Sequence, residues 1–419
     1  MENAKSYARL KLACYTTNAS MSVVASLSPV LFLTFHNLYG ISYSLLGTLV
    51  LINFFTQLTI DLIFSFFSHK FNIPLAVKLT PFLTFVGLLL YAVWPFFFPD
   101  AVYIGLVLGT VIFSCSGGLA EVLISPVIAA IPAKDPDREM SRLHSVYAWG
   151  VVGVILVSTL FLLLFGGENW QYLALLFMLI PLISCILFTT VTIPEMGTQE
   201  RVSGVVRFLK NKTLWLCIAA IFFGGASECT MAQWSSGYLE QALGIPKVWG
   251  DIFGTAMFSV MLGLGRTLYA KFGTQIGRIL LLGGIGALAC YLMAALVGLP
   301  IVGLIACAFT GFCVSMLWPG SLIVASDRIP DSGVFIYAMM AAGGDLGASI
   351  GPQLIGVITD AAIASPTLSA MAEDLSLAPE QLGMKLGMLV GALFPLCAIP
   401  VYFHIYRTAK KPQKPSAAS

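Results

Sequence analysis

Three carboxyl side chains, Glu121, Glu228 and Asp345, and one guanidinium, Arg266, stand inside long apolar runs of this sequence. An ionisable group in hydrocarbon costs at least ~2.5–3.5 kcal/mol on insertion scales, so such a position reads as a functional site. Burial disfavours the charged form of a carboxyl. A carboxyl so placed can take a proton on one side of a membrane and release it on the other, which is what proton coupling requires. With three acids and one base, at least one acid is neutral in some state. Packing offers a plainer account: a protonated acid bonded to a neighbouring helix holds a bundle together. Arg266 can snorkel or pair with an acid, a structural role.

Around these acids lie groups suited to a hydroxyl-rich solute. Tyr147, Trp149, Trp234 and Trp318 offer aromatic faces, and Asn18, His144 and Gln233 offer planar polar groups in apolar surroundings. Any single Trp can equally serve packing or face lipid. Gly343 and Gly347, with Gly351, recur every four residues, a spacing for close helix approach that also suits a rocking element. No phosphate-binding loop, nucleophile elbow, zinc motif or dinucleotide fingerprint is present, so neither an enzyme nor a cofactor is indicated.

The elements that must position these groups follow from composition. The chain has 419 residues, 58% hydrophobic and 10% charged, against a norm of roughly a quarter charged. Lipid is therefore the solvent for most of it, and a net charge of +2 gives no reason to expect nucleic acid. The nine cysteines lie in apolar segments without metal-ligand spacing, which indicates neither a disulfide framework nor a zinc site.

Twelve apolar runs can be counted, at about 12–36, 43–68, 74–97, 101–131, 143–166, 169–192, 213–241, 248–272, 277–297, 300–326, 333–360 and 384–406. Backbone groups in hydrocarbon must bond internally, so these runs predict an all-α membrane protein with twelve spanning helices. Of 22 Lys and Arg, 19 fall on the side of the N-terminus, which places both termini in the cytoplasm. The expected localisation is a bacterial inner membrane or plasma membrane, as a multi-pass monomer.

The expected domains are a first bundle at 1–192, a cytoplasmic linker at 193–212, a second bundle at 213–407 and a disordered tail at 408–419. The linker segment SGVVRFLKNK suits the inner membrane surface as a basic amphipathic stretch, though an ordinary connector is equally consistent. Residues 371–384 predict a short surface helix. The two halves echo each other: a shift of 193 carries Gly118, Pro126 and Gly150 onto Gly311, Pro319 and Gly343, and a shift near 204 carries YGI at 39–41 onto LGI at 243–245. Two six-helix repeats around a midplane site are the build of a secondary transporter.

This arrangement resembles the major facilitator superfamily over essentially the whole chain. Its loop signature after the second helix is degenerate in DLIFSFFSHK, with Asp61 where Gly is expected and Lys70 in the basic pair. The resemblance assigns Asp61 and Lys70, with Arg142, to structural or gating roles.

A closer resemblance is to the fucose permease group of proton-coupled sugar symporters. GLAEVLISP matches that group's fourth-helix pattern at Gly118, Glu121 and Pro126, with Ser125 for Asn. RLHSVYAWG is similar to its fifth helix, with His144 for Asn, and GASECTMAQW supplies the Glu-to-Trp spacing of its seventh. Gly265 and Arg266 match its eighth helix. The group's acid in the first helix has no counterpart here. The resemblance implies proton-driven uptake of a small polar solute, a sugar by analogy. Glu121 leads, Glu228 and Asp345 partner it, and Ser125 joins the substrate groups. Export of amphiphilic compounds against protons, and a receptor or scaffold without transport, remain open alternatives.

Overall fold

A computed structural model describes residues 2–67, 70–132, 136–194, 210–273, 275–329 and 334–408, omitting some side chains within helices, His144 among them. Most of the expected linker, at 195–209, and of the tail, at 409–419, therefore lies outside the described residues. The first half contains α1 (Glu2–Val30), α2 (Phe32–Tyr39), α3 (Tyr43–Phe67), α4 (Ile73–Phe97), α5 (Val102–Ala130), α6 (Pro136–Phe165), α7 (Trp170–Phe177) and α8 (Leu179–Thr189). In the second half are α9 (Lys212–Leu243), a π-helical turn at Gly250–Ala256 leading into α10 (Met257–Phe272), α11 (Ile276–Leu296) and α12 (Pro300–Val314). It continues with α13 (Leu317–Arg328), α14 (Val334–Ala364), α15 (Pro366–Asp374), α16 (Pro379–Gly391) and α17 (Leu393–Arg407).

Eleven spans are long and apolar enough to cross a bilayer, and α1 with α2, bent by 45°, forms the twelfth. The chain is thus an all-α, multi-pass membrane protein of two six-helix bundles. An even number of spans puts both ends on one face, called here the terminal face; the other is the far face.

Local chemistry accounts for the helix ends. Asn72 and Asn211 cap α4 and α9, their side chains accepting the Leu75 and Thr213 N–H groups. Gly40 and Gly244 close α2 and α9 at φ +64° and +66°, a left-handed position that favours glycine. Both caps stand at the far face and are 204 residues apart, where the sequence repeat aligned them.

Three expectations need correction. The first helix begins at Glu2, so its polar residues belong to it. The sixth and twelfth runs are each two helices meeting at Met178 and Ala392, and the tenth is broken at Ser315–Met316. The predicted surface helix at 371–384 is split: α15 ends at Asp374, Ser376 turns at φ +55°, and Pro379 already opens the last span.

The halves meet along a seam dominated by α3 against α14, which run antiparallel. Gly47 of α3 lies against Pro352 and Gln353, and Gly356 of α14 lies against Tyr43. At its far end the seam is sealed. Both carboxylate oxygens of Asp360 accept backbone N–H groups at the start of α3, from Tyr43 at 3.1 Å and Ser44 at 2.7 Å. Trp234 wedges between Phe32 and Tyr43, with ring centroids 5.0 and 6.3 Å away, and donates its indole N–H to the Pro352 carbonyl at 2.8 Å. Lys247 Nζ donates to the Val30 carbonyl at 2.7 Å. Asp251, wholly buried, accepts from Thr159 of α6 at 2.9 Å, from Ser236, and from Lys247 at 3.4 Å.

Candidate coupling site at the seam

Moving from the sealed face toward the terminal face, α3, α5 and α14 bring three carboxyls together. Asp61, Glu121 and Asp345 each offer an oxygen, all within 4.8 Å of one another. Glu121 and Asp345 each stand 19 residues from the far ends of their helices, about 28 Å at 1.5 Å per residue. Asp345 therefore shares the depth of Glu121. Asp61 and Glu121 belong to the first half and Asp345 to the second, so the cluster bridges the seam.

The three differ in surroundings. Asp61 is 3% exposed and Asp345 4%. Both carboxyl oxygens of Asp61 and Oδ2 of Asp345 lack any hydrogen-bond partner. Glu121 is exposed, and it does not lie on the lipid stripe of α5, which runs through Ile104, Leu108 and Val111. Its oxygen lies within 4.8 Å of that of Asp345, across the boundary between the halves. Among the described residues no Lys, Arg or His pairs with any of the three. Two ionised carboxylates at this separation repel by about 3 kcal/mol at an effective dielectric near 20. All three cannot be charged without a compensating positive charge.

A second charged feature is an ion pair within the second half. Arg266 of α10 donates through Nη2 to Glu228 of α9 at 3.2 Å and through Nε to the Ser315 carbonyl at 3.1 Å. Its side chain is 43% exposed against 15% for Glu228. Ser315 lies where the tenth span breaks, and Pro319, four residues on, has no N–H for its carbonyl, which is left free to accept. Tyr147 of α6, half-exposed, lies within electrostatic reach of Glu121, Glu228 and Arg266. Ser125 is one helical turn from Glu121 and shares its face.

The other expected site residues are placed as follows. Gln233 borders a small cavity with Ala25, Ser28, Asn53, Thr110 and Phe113. Trp318 is half-buried against Gly225 and Gly344, where a Cβ at Gly344 would come within 2.3 Å of its ring. Trp234 is 0% exposed in the far seal and does not line the cavity. Asn18 ties α1 to α6 by donating to the Leu143 carbonyl at 2.6 Å. Trp149 is 71% exposed and continues the stripe Leu156, Leu160 and Leu163. Two residues from Tyr147, it is turned about 200° away, toward lipid. The His144 side chain lies outside the described set.

Of the gating residues, Arg142 pairs with Glu139 at 2.9 Å within the first half, and Lys70 lies over the Phe67 ring at 5.0 Å. Gly343 and Gly347 seat α14 on α9, and a Cβ at Gly347 would meet the Phe222 carbonyl oxygen at 2.1 Å. Asp61, expected only to gate, is the residue whose place sequence reasoning missed. Its signal was plain: it is a fourth acid in an apolar run.

Residues 13–352 match the family model of the Major Facilitator Superfamily, and the chain belongs to that family. No curated protein sequence matches it. Among solved structures it is similar to a D-xylose–proton symporter (16% identity, TM-score 0.71, 95% of this chain and 99% of that one). It is also similar to a bacterial homologue of the human lysosomal transporter Spinster in an inward-facing, occupied conformation (16%, 0.69, 98% and 99%). The Escherichia coli fucose–proton symporter aligns at 14% identity and TM-score 0.57, over 94% and 99%. The family is one of transporters rather than enzymes, and these likenesses show its fold.

Proposed function

We propose that this protein takes up a small polar solute, of the sugar class, together with protons, by alternating access between its two halves. The observation that carries the reading is the Arg266–Glu228 pair at 3.2 Å, its guanidinium 43% exposed beside a largely buried carboxyl. A substrate oxygen that takes the guanidinium leaves Glu228 unpaired at low dielectric, where a carboxyl favours its neutral form. Substrate and proton then promote each other's binding, which is the thermodynamic content of symport. Tyr147, Trp318, Gln233 and Ser125 provide the aromatic and hydrogen-bonding lining for a hydroxylated solute. Glu121 and Asp345, joined by Asp61, form the ion-sensitive part of the seam, and the sealed far face leaves the terminal face as the side of release.

The Lys and Arg bias supports a cytoplasmic terminal face in a bacterial inner or plasma membrane, with halves at 1–192 and 213–407. The named symporters for xylose and fucose support a sugar as cargo.

The test is transport in proteoliposomes under an imposed proton gradient, with pentoses and hexoses offered as cargo. Glu228→Gln is expected to lose gradient-driven accumulation by 100-fold or more while retaining exchange of cargo. Outward movement of amphiphilic dye in place of sugar accumulation would reverse the assigned direction and cargo. No transport of either, with Glu228→Gln silent, would fit a receptor.

A further inference from the structure

Asp61, Glu121 and Asp345 form a donor set of a particular kind: oxygen only, with neither sulfur nor imidazole in the group. Hard cations prefer such ligands, and soft transition metals prefer the donors that are missing. The oxygens lie within 4.8 Å of one another. Three oxygens at that separation share a central point about 2.8 Å from each, so side-chain shifts of a few tenths of an ångström bring all three to a metal–oxygen distance of ~2.4 Å. The independent sign of a ligand is that Asp61, 97% buried by its 3% exposure, brings one oxygen into the cluster and has no donor for either of its two. Asp345 repeats this with Oδ2. A buried acceptor in a native protein is almost always partnered, so two such residues in one cluster mark a missing positive partner. Glu121, the exposed member, offers the way in.

We propose that these three carboxylates bind one hard, oxygen-preferring metal cation, of the alkali or alkaline-earth class, held between the two halves of the transporter. Because α14 contributes one ligand and α3 and α5 the others, the ion bonds the halves to each other at this depth. Its occupancy favours the conformation in which the seam is closed here. The inference rests on reading the seam as the moving interface of a transporter, but not on the Glu228 chemistry.

The experiment is thermal unfolding of the purified full-length protein in choline chloride, with sodium, lithium, calcium or magnesium chloride substituted at matched ionic strength and fixed pH. At least one cation is expected to raise the midpoint by several degrees in a saturable way, and the sodium and calcium arms separate the two sources. Asp61→Asn and Asp345→Asn are expected to abolish the rise. Should either fail to fold, Glu121→Gln, at the exposed member, is expected to weaken direct binding of the same cation by 10-fold or more, read by equilibrium dialysis with radioactive sodium or calcium. Midpoints that match choline in every salt, or a rise that survives in the variants, overturn the proposal. Absent cation binding with proton-driven uptake intact removes this inference alone. Cation binding without proton-driven uptake removes the proton-coupled reading of Glu228 and leaves the site.

Discussion

At the far face, Asp251 and Asp360 each sit in a ready-made shell of donors, whereas Asp61 and Asp345, deeper along the same seam, present oxygens that nothing donates to. All four acids are carried by helices that meet at the boundary between the halves. The difference separates two uses of a buried carboxylate. One whose acceptors are filled by the partner half behaves as a fastener, indifferent to ions. One whose acceptors are empty makes the closeness of the halves depend on what fills them. The sealed end thus defines a resting geometry, and the unfilled end is where an ion can change it.

That contrast is broken most severely at Asp251. Replacing it with alanine strips Ser236 and Lys247 of their carboxylate and cuts the Thr159 bond across the seam. Removing one partner of a buried, hydrogen-bonded charge costs about 3 kcal/mol or more. The expected result is a midpoint lower by several degrees. A cysteine introduced at Val30 should also react faster with a membrane-impermeant maleimide added from the far side. An unchanged midpoint would remove Asp251 from the seal.

Asp360→Ala should be milder. Its carboxylate works as a helix cap supplied from the other half, and losing a cap costs about 1 kcal/mol. A drop confined to that size, with maleimide access raised less than in Asp251→Ala, sharpens the division of labour between the two fasteners. The deeper acids should respond with the opposite sign. In choline buffer, Asp61→Asn removes a repulsion of about 3 kcal/mol per ionised pair, part of which the protein already relieves. Its midpoint is expected to equal or exceed that of the parent. A clear fall would show that Asp61 is satisfied after all, and would erase the distinction between the two ends.

Much of this was open to sequence reading, and the failures have a common physical cause. The twelve spans, the repeat that places Gly40 over Gly244 and the close approach of Gly343 and Gly347 follow from composition and spacing, which are local. The Arg266–Glu228 pair was one of the pairings that counting acids against bases allowed. Asp61 was missed because its neighbours align with a loop signature, which drew attention to its place in the motif and away from its apolar surroundings. Its meeting with Asp345 depends on the pairing of α3 with α14, elements far apart in the chain, and no local pattern sets that register.

Trp149 and Trp234 were judged by residue type. Helical spacing to Leu156, Leu160 and Leu163 would have assigned Trp149 to the lipid face. For Trp234 the deciding fact, a wedge between Phe32 and Tyr43, lies in the other half of the molecule.

The smallest expected effect concerns the terminal face, where the described ion pairs lie within one half instead of across the seam. Glu139 on α6 receives Lys11 at 3.1 Å, Arg142 at 2.9 Å and the Tyr15 hydroxyl at 3.0 Å, tying α1 to α6. The bonds from Lys11 and Tyr15 hold its carboxyl below the usual glutamate value. A group with a depressed folded pKa contributes stability that is fully present above its unfolded value, near 4.3, and is lost as pH falls through the lowered folded value. The parent should therefore exceed Glu139→Gln in midpoint at neutral pH by a small margin, and the margin should close as pH is taken below about 4. Added salt should narrow it as well, since these partners are partly exposed. Because α1 and α6 belong to the same half, the closing of this margin should leave maleimide access at the far face unchanged. A coupled change there would mean that the terminal-face pairs also set the seam, and the two ends of the molecule would no longer be separable.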